Sequence, residues 1–145
     1  MKITICGSMK FFQEMRVVKK KLENLGHTVL VPKDLDIENN IPVEAQQHLS
    51  TDELIAAKIE YDFIRDHFKK INEADAILVL NYEKKGIPNY IGGNTFLEMG
   101  LAFWLGKKIF LLHPVPDSME YMTEMHAMQP VVLHGDITKI GKDHS

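Results

Sequence analysis

The sequence predicts an α/β domain with a parallel β-sheet, and three features of the chain carry that expectation. Short apolar blocks rich in β-branched residues alternate with longer stretches whose apolar residues recur every three or four positions. The block AILVL, Ala76 to Leu80, is apolar at every position, as a strand covered on both faces must be. Glycine-bearing loops follow the first and third blocks, where a parallel sheet opens to ligands. At 145 residues, the chain is read as one domain over 1–145.

The elements follow in order. ITIC (Ile3 to Cys6) is a short buried strand, and Ser8 is placed to cap the helix behind it. That helix carries Phe11, Met15, Val18, Leu22 and Leu25 at helical steps, and Gly26 supplies its left-handed exit. TVLV (Thr28 to Val31) is the second strand, stopped by Pro32. From Lys33 to Leu49 the pattern fades into a polar, irregular stretch, a candidate active-site loop. Ser50 and Glu53 have capping-box spacing and open one long helix with Leu54, Ile55, Ile59, Phe63, Ile64, Phe68 and Ile71. AILVL is then the central strand. A helix from about Thr95 to Leu105 follows the second glycine loop. IFLL (Ile109 to Leu112) is the fourth strand, DSMEYMTEMHAM the fourth helix and VVL (Val131 to Leu133) the fifth strand. Five strands in this arrangement imply a flavodoxin-like (Rossmann-like) order, 2-1-3-4-5, with helices on both faces and the ligand crevice between strands 1 and 3.

Bulk properties narrow the function. The net charge of -3 offers no basic field for a nucleic-acid polymer, although single nucleotides remain open. No apolar run approaches the roughly 18 residues of a membrane span, and Met1-Lys2 leads straight into a strand, so a cytoplasmic protein is expected. The single cysteine, Cys6, reads as a small buried thiol. Seven histidines show no metal-ligand spacing, and neither a G-x-G-x-x-G, a P-loop nor a G-x-S-x-G elbow is present. No metal or cofactor is expected.

The candidate chemistry lies in the two crevice loops. Gly7, Ser8 and Met9 follow strand 1: Gly7 lets backbone approach a ligand, and Ser8 offers a hydroxyl at a helix start. Gly92, Gly93, Asn94 and Thr95 bring flexible backbone, an amide and a hydroxyl ahead of Glu98, which is expected in the first turn of its helix. A carboxylate held among apolar residues at that point is a positioned anion, available as a nucleophile. Glycosyl chemistry pairs such a group with a second one. The candidates are Asp62, Asp66 and His67 in YDFIRDHFKKINEAD, with Phe63, Ile64 and Phe68 expected to form the core stripe there. Asp75, where the central strand begins, reads as structural. The methionines Met119, Met122, Met125 and Met128, at three-residue steps, read as packing or a subunit interface.

These residues resemble the nucleoside 2-deoxyribosyltransferase superfamily, which includes the 2'-deoxynucleoside 5'-phosphate N-hydrolases. The likeness rests on ICGSM, INEADAILVLN and GGNTFLEMGLAFWLGKKIFLL, and spans most of the chain. It implies cleavage or transfer at the N-glycosidic bond of a nucleoside or nucleoside 5'-monophosphate with retention, Glu98 acting as nucleophile. It also implies a homodimer or higher homo-oligomer in which the methionine-rich segment completes a neighbour's pocket. The family's aspartate, eight residues before Asp75, falls on His67, so Asp66 or His67 is the expected acid or orienting group. The loop before Glu98 lacks the serine common among the phosphate-binding hydrolases. Two other readings remain: a lysine-decarboxylase-like phosphoribohydrolase, since GGNTFLEMG resembles a gapped form of its motif, and a non-catalytic nucleotide-binding module.

Overall fold

A computed structural model describes residues 1–35 and 50–141. Most of the expected Lys33–Leu49 loop therefore lies outside the described residues, and its start, Lys33–Leu35, is a 3-10 turn. The five strands are β1 (Lys2–Cys6), β2 (Thr28–Leu30), β3 (Ala76–Val79), β4 (Lys108–Leu111) and β5 (Val131–Val132). The helices are α1 (Phe12–Asn24), α2 (Thr51–Tyr61), α3 (Phe63–Glu73), α4 (Gly93–Trp104) and α5 (Met122–Ala127). All strand pairs are parallel, in the order β2-β1-β3-β4-β5, as the sequence predicts.

Side-chain alternation along the strands divides the core in two. Ile3, Ile5, Ala76, Leu78 and Phe110 face α1, where Met15, Val18 and Leu22 meet them. Cys6, Ile77, Val79, Ile109 and Leu111 face the other way, onto Ile71 of α3 and Met99 and Ala102 of α4. Every residue of β3 is buried, as a strand covered on both faces requires. Fully burying each of its large aliphatic side chains contributes about 1.5–3 kcal/mol. Asp75 is structural, as expected: its carboxylate accepts from the Lys2 amide at 2.8 Å and holds the start of β1 beside that of β3.

Four expectations need correction. The long helix is two helices. Asp62, in the left-handed region at φ 52° and ψ 46°, ends α2 and begins α3. The apolar series at steps of four, Ile55-Ile59-Phe63, runs across this break without signalling it. As a result Ile55 and Ile59 are exposed, Ile59 by 76%. Within α3 the buried stripe is Phe63, His67 and Ile71 rather than Phe63, Ile64 and Phe68; Ile64 is exposed. Leu25 is likewise exposed, lying past the last core-facing turn of α1. Finally, the methionine-rich helix shrinks to Met122–Ala127. Its Met125 is buried in the chain's own second core cluster, with Met119, Met122 and Met128 packed against it.

Candidate active site

The connections leaving β1 and β3 run to opposite faces, and a crevice opens between them at the carboxyl ends of the strands. Gly7 follows β1 at φ +152°, and a Cβ there would lie 3.1 Å from the Leu80 carbonyl oxygen. Both the backbone and the space therefore demand glycine. Ser8 caps the short 3-10 turn Met9–Phe11, its Oγ accepting from the Lys10 amide at 3.3 Å.

The loop after β3 is compact. Lys84 and Ile87 exchange backbone hydrogen bonds of 3.1 and 2.9 Å around Gly86, and Tyr90 returns a bond to the Tyr82 carbonyl. This turn places Lys84 Nζ 3.0 Å from Ser8 Oγ, to which it donates, and 5.0 Å above the Tyr90 ring. Partial burial, then the charges of Lys85 and Lys10, lower the pKa of this ammonium. Such crowding of cations on a crevice rim favours an anion there. Gly92 packs under the Tyr90 ring, so a Cβ at 92 would come 3.0 Å from the phenol oxygen.

α4 starts at Gly93, which puts Glu98 in the second turn and not the first. The helix dipole has little hold so far from the end. Side chains take over: Glu98 is 5% exposed, and its Oε2 lies 3.3 Å from Nε2 of the equally buried His67. The same Nε2 stands 3.4 Å from Cys6 Sγ, and the thiol is hydrogen-bonded to Glu98. Three elements thus contribute one side chain each: β1 gives Cys6, α3 His67 and α4 Glu98.

Electrostatics fix the protonation of this cluster. Burial first, then the Glu98 charge and its hydrogen bond, push the Cys6 thiol well above its usual range, so it stays protonated. Burial and the Lys70 charge lower His67 to about 4, against small opposing effects of Asp66 and the Ile5 backbone. The imidazole is therefore neutral near pH 7. An ionised carboxylate only accepts, which assigns the Nε2–H tautomer donating to Glu98. Nδ1 then has no well-formed partner.

A small cavity of about 40 Å³ opens onto the carboxylate. Of the expected site residues, Gly7, Met9, His67, Asn94 and Glu98 line it, together with Pro32, Phe63 and Ile64. Ser8 stands on the rim with Lys84, Thr95 is buried behind the helix start, and Gly92 and Gly93 shape the turn. Asp66 does not reach Glu98. It pairs with Lys70 at 2.9 Å, and Lys70 in turn donates to the Val31 carbonyl. Asp62 pairs with Arg65 at the surface.

Sequence reasoning missed two residues of this site. Cys6 reads from the sequence as a small buried thiol, and it is wholly buried; its place at the carboxyl end of β1, next to Gly7, is the signal that it lies against His67 and Glu98. Lys84 is brought to Ser8 only by the turn at Gly86, and no spacing in the sequence announces it.

Two solved structures are similar to this chain. A 2-deoxyribosyltransferase from Bacillus psychrosaccharolyticus superposes with a TM-score of 0.54 at 18% identity, over 91% of this chain and 98% of that one. A CMP N-glycosidase, BcmB, from Clostridium botulinum gives a TM-score of 0.46 at 18% identity, over 91% of this chain and 84% of that one. The fold is shared with the deoxyribosyltransferase; no protein-family model and no curated protein matches the sequence.

Proposed function

We propose that this chain cleaves or transfers at the N-glycosidic bond of a nucleoside 5'-monophosphate or nucleoside, with Glu98 as nucleophile. One observation carries the reading: an acidic side chain buried at the switch point of the sheet, held by the His67 imidazole and the Cys6 thiol, with a cavity in front of it. The deoxyribosyltransferase of similar fold, and the resemblance of GGNTFLEMGLA to that superfamily, support the same chemistry.

In this scheme a Glu98 oxygen attacks the anomeric carbon while the base departs with the bonding electrons and takes up a proton from solvent, to which the attacking water or second base later returns one. Water or a second base then attacks the glycosyl ester from the opposite face, restoring the configuration and the carboxylate. His67, facing Glu98 where Asp66 does not, is the orienting group: its Nε2–H fixes one carboxylate oxygen and leaves the other for attack. Ser8 and Lys84, with Lys10 and Lys85 nearby, support a 5'-phosphate on the substrate. The scheme uses no cofactor. Pockets for such ligands hold about 300 Å³ or more, so Met9, Phe63 and Ile64 must move aside for the sugar.

Homo-oligomerisation is the expected state, supported by Leu97 and the 84% exposed Trp104 on the outer side of α4. Among the described residues no helix is long and apolar enough to cross a membrane, and a cytoplasmic location agrees with the unpaired thiol of Cys6.

The test is base release from a panel of nucleosides and their 5'-monophosphates, followed chromatographically. Glu98→Gln should lower turnover by about 10⁴-fold or more while the circular dichroism spectrum stays unchanged. Base release by the variant at the parental rate would overturn the assignment; saturable nucleotide binding without release by the parent would favour a binding module.

A further inference from the structure

The geometry points to a second capacity of the same cluster: Cys6, His67 and Glu98 form a binding site for a zinc-like divalent transition metal. Their ligand atoms all lie within 4.8 Å of one another. A tetrahedral zinc with Zn–S of about 2.3 Å and Zn–N and Zn–O of about 2.0–2.1 Å separates sulfur from nitrogen by about 3.5 Å, and nitrogen from oxygen by about 3.3 Å. Here Cys6 Sγ to His67 Nε2 is 3.4 Å and His67 Nε2 to Glu98 Oε2 is 3.3 Å. Two edges of the coordination tetrahedron already exist.

Charge and donor type agree with the distances. A thiolate, a carboxylate and a neutral imidazole exactly offset a 2+ ion, so a buried site ends neutral where an unbalanced charge would be costly. Sulfur and imidazole select zinc or its neighbours over calcium and magnesium. The fourth position faces the cavity of about 40 Å³, enough for a bound water. On binding, the thiol gives its proton to solvent as the sulfur–metal bond forms. His67 moves its proton from Nε2 to Nδ1, the ring nitrogen that has no hydrogen-bond partner beforehand, so the proton count balances. The metal would take the Glu98 oxygen that His67 otherwise holds and draw charge from the carboxylate, so the two uses exclude each other.

The experiment is titration of the whole chain with cobalt(II), then displacement by zinc(II) in competition with a chromophoric chelator. A thiolate-to-cobalt charge-transfer band at one equivalent is expected. Because the chain has one cysteine, that band reports Cys6 without any variant. Cys6→Ser should abolish the band, and Cys6→Ser and His67→Gln should each weaken zinc binding by about 100-fold or more. His126→Gln, which removes the exposed His126–Asp117 pair, should leave both signals intact. Absence of the band in the parent chain, or zinc binding lost only in His126→Gln, overturns the site. Neither readout depends on glycosidic activity, so the site and the proposed function stand or fall separately.

Discussion

Glu98 owes its character to two side chains rather than to its helix. In the second turn of α4 it is past the reach of the dipole, and His67 and Cys6 hold it in place. That dependence also explains which half of the site could be read in the sequence. The glutamate announces itself as a lone acid in an apolar run. Its partner does not, because His67 occupies a core-facing position of α3 that a hydrophobic pattern assigns to Ile64 or Phe68. Gly7 is the opposite case, legible because strand, glycine and capping serine come in direct succession. Its conformation and the 3.1 Å approach to the Leu80 carbonyl together predict that Gly7→Ala costs about 2 kcal/mol or more, measured by urea unfolding. An unchanged midpoint would show that the backbone can relax there.

At the level of elements, the strands were legible and the long second helix was not. Each strand is a short apolar block between turn residues, so its limits shift by a residue at most. The break at Asp62 carries no proline or glycine, and an apolar series at steps of four passes straight through it. The break matters to the site because it sets the rotation of α3, turning His67 toward β1 and Asp66 toward Lys70. Aspartate is among the few residues that tolerate the left-handed region. Asp62→Val should therefore destabilise the fold by about 1–2 kcal/mol, and Asp62→Gly should be close to neutral, both read by chemical denaturation. Equal stability of the two variants would mean that the left-handed turn does not persist in solution.

For the whole molecule, the buried imidazole sets an acid limit. His67 titrates near 4 in the folded chain and near 6.5 when unfolded, so between those values the unfolded state binds more protons. Stability is full above pH 6.5 and falls as pH drops toward 4. Thermal unfolding in chelator-containing buffer from pH 7.5 to 4 should show this decline, and His67→Gln should flatten it. A parent and variant that lose stability in parallel would place the acid sensitivity elsewhere.

The position of Cys6 has one more consequence. Its thiol is wholly buried at the end of β1, in register with Val79 of the central strand. A thiol-specific reagent can reach it only when the middle of the sheet opens. The alkylation rate of this single cysteine is therefore a built-in clock for the rarest opening of the fold, readable by mass without any label being engineered.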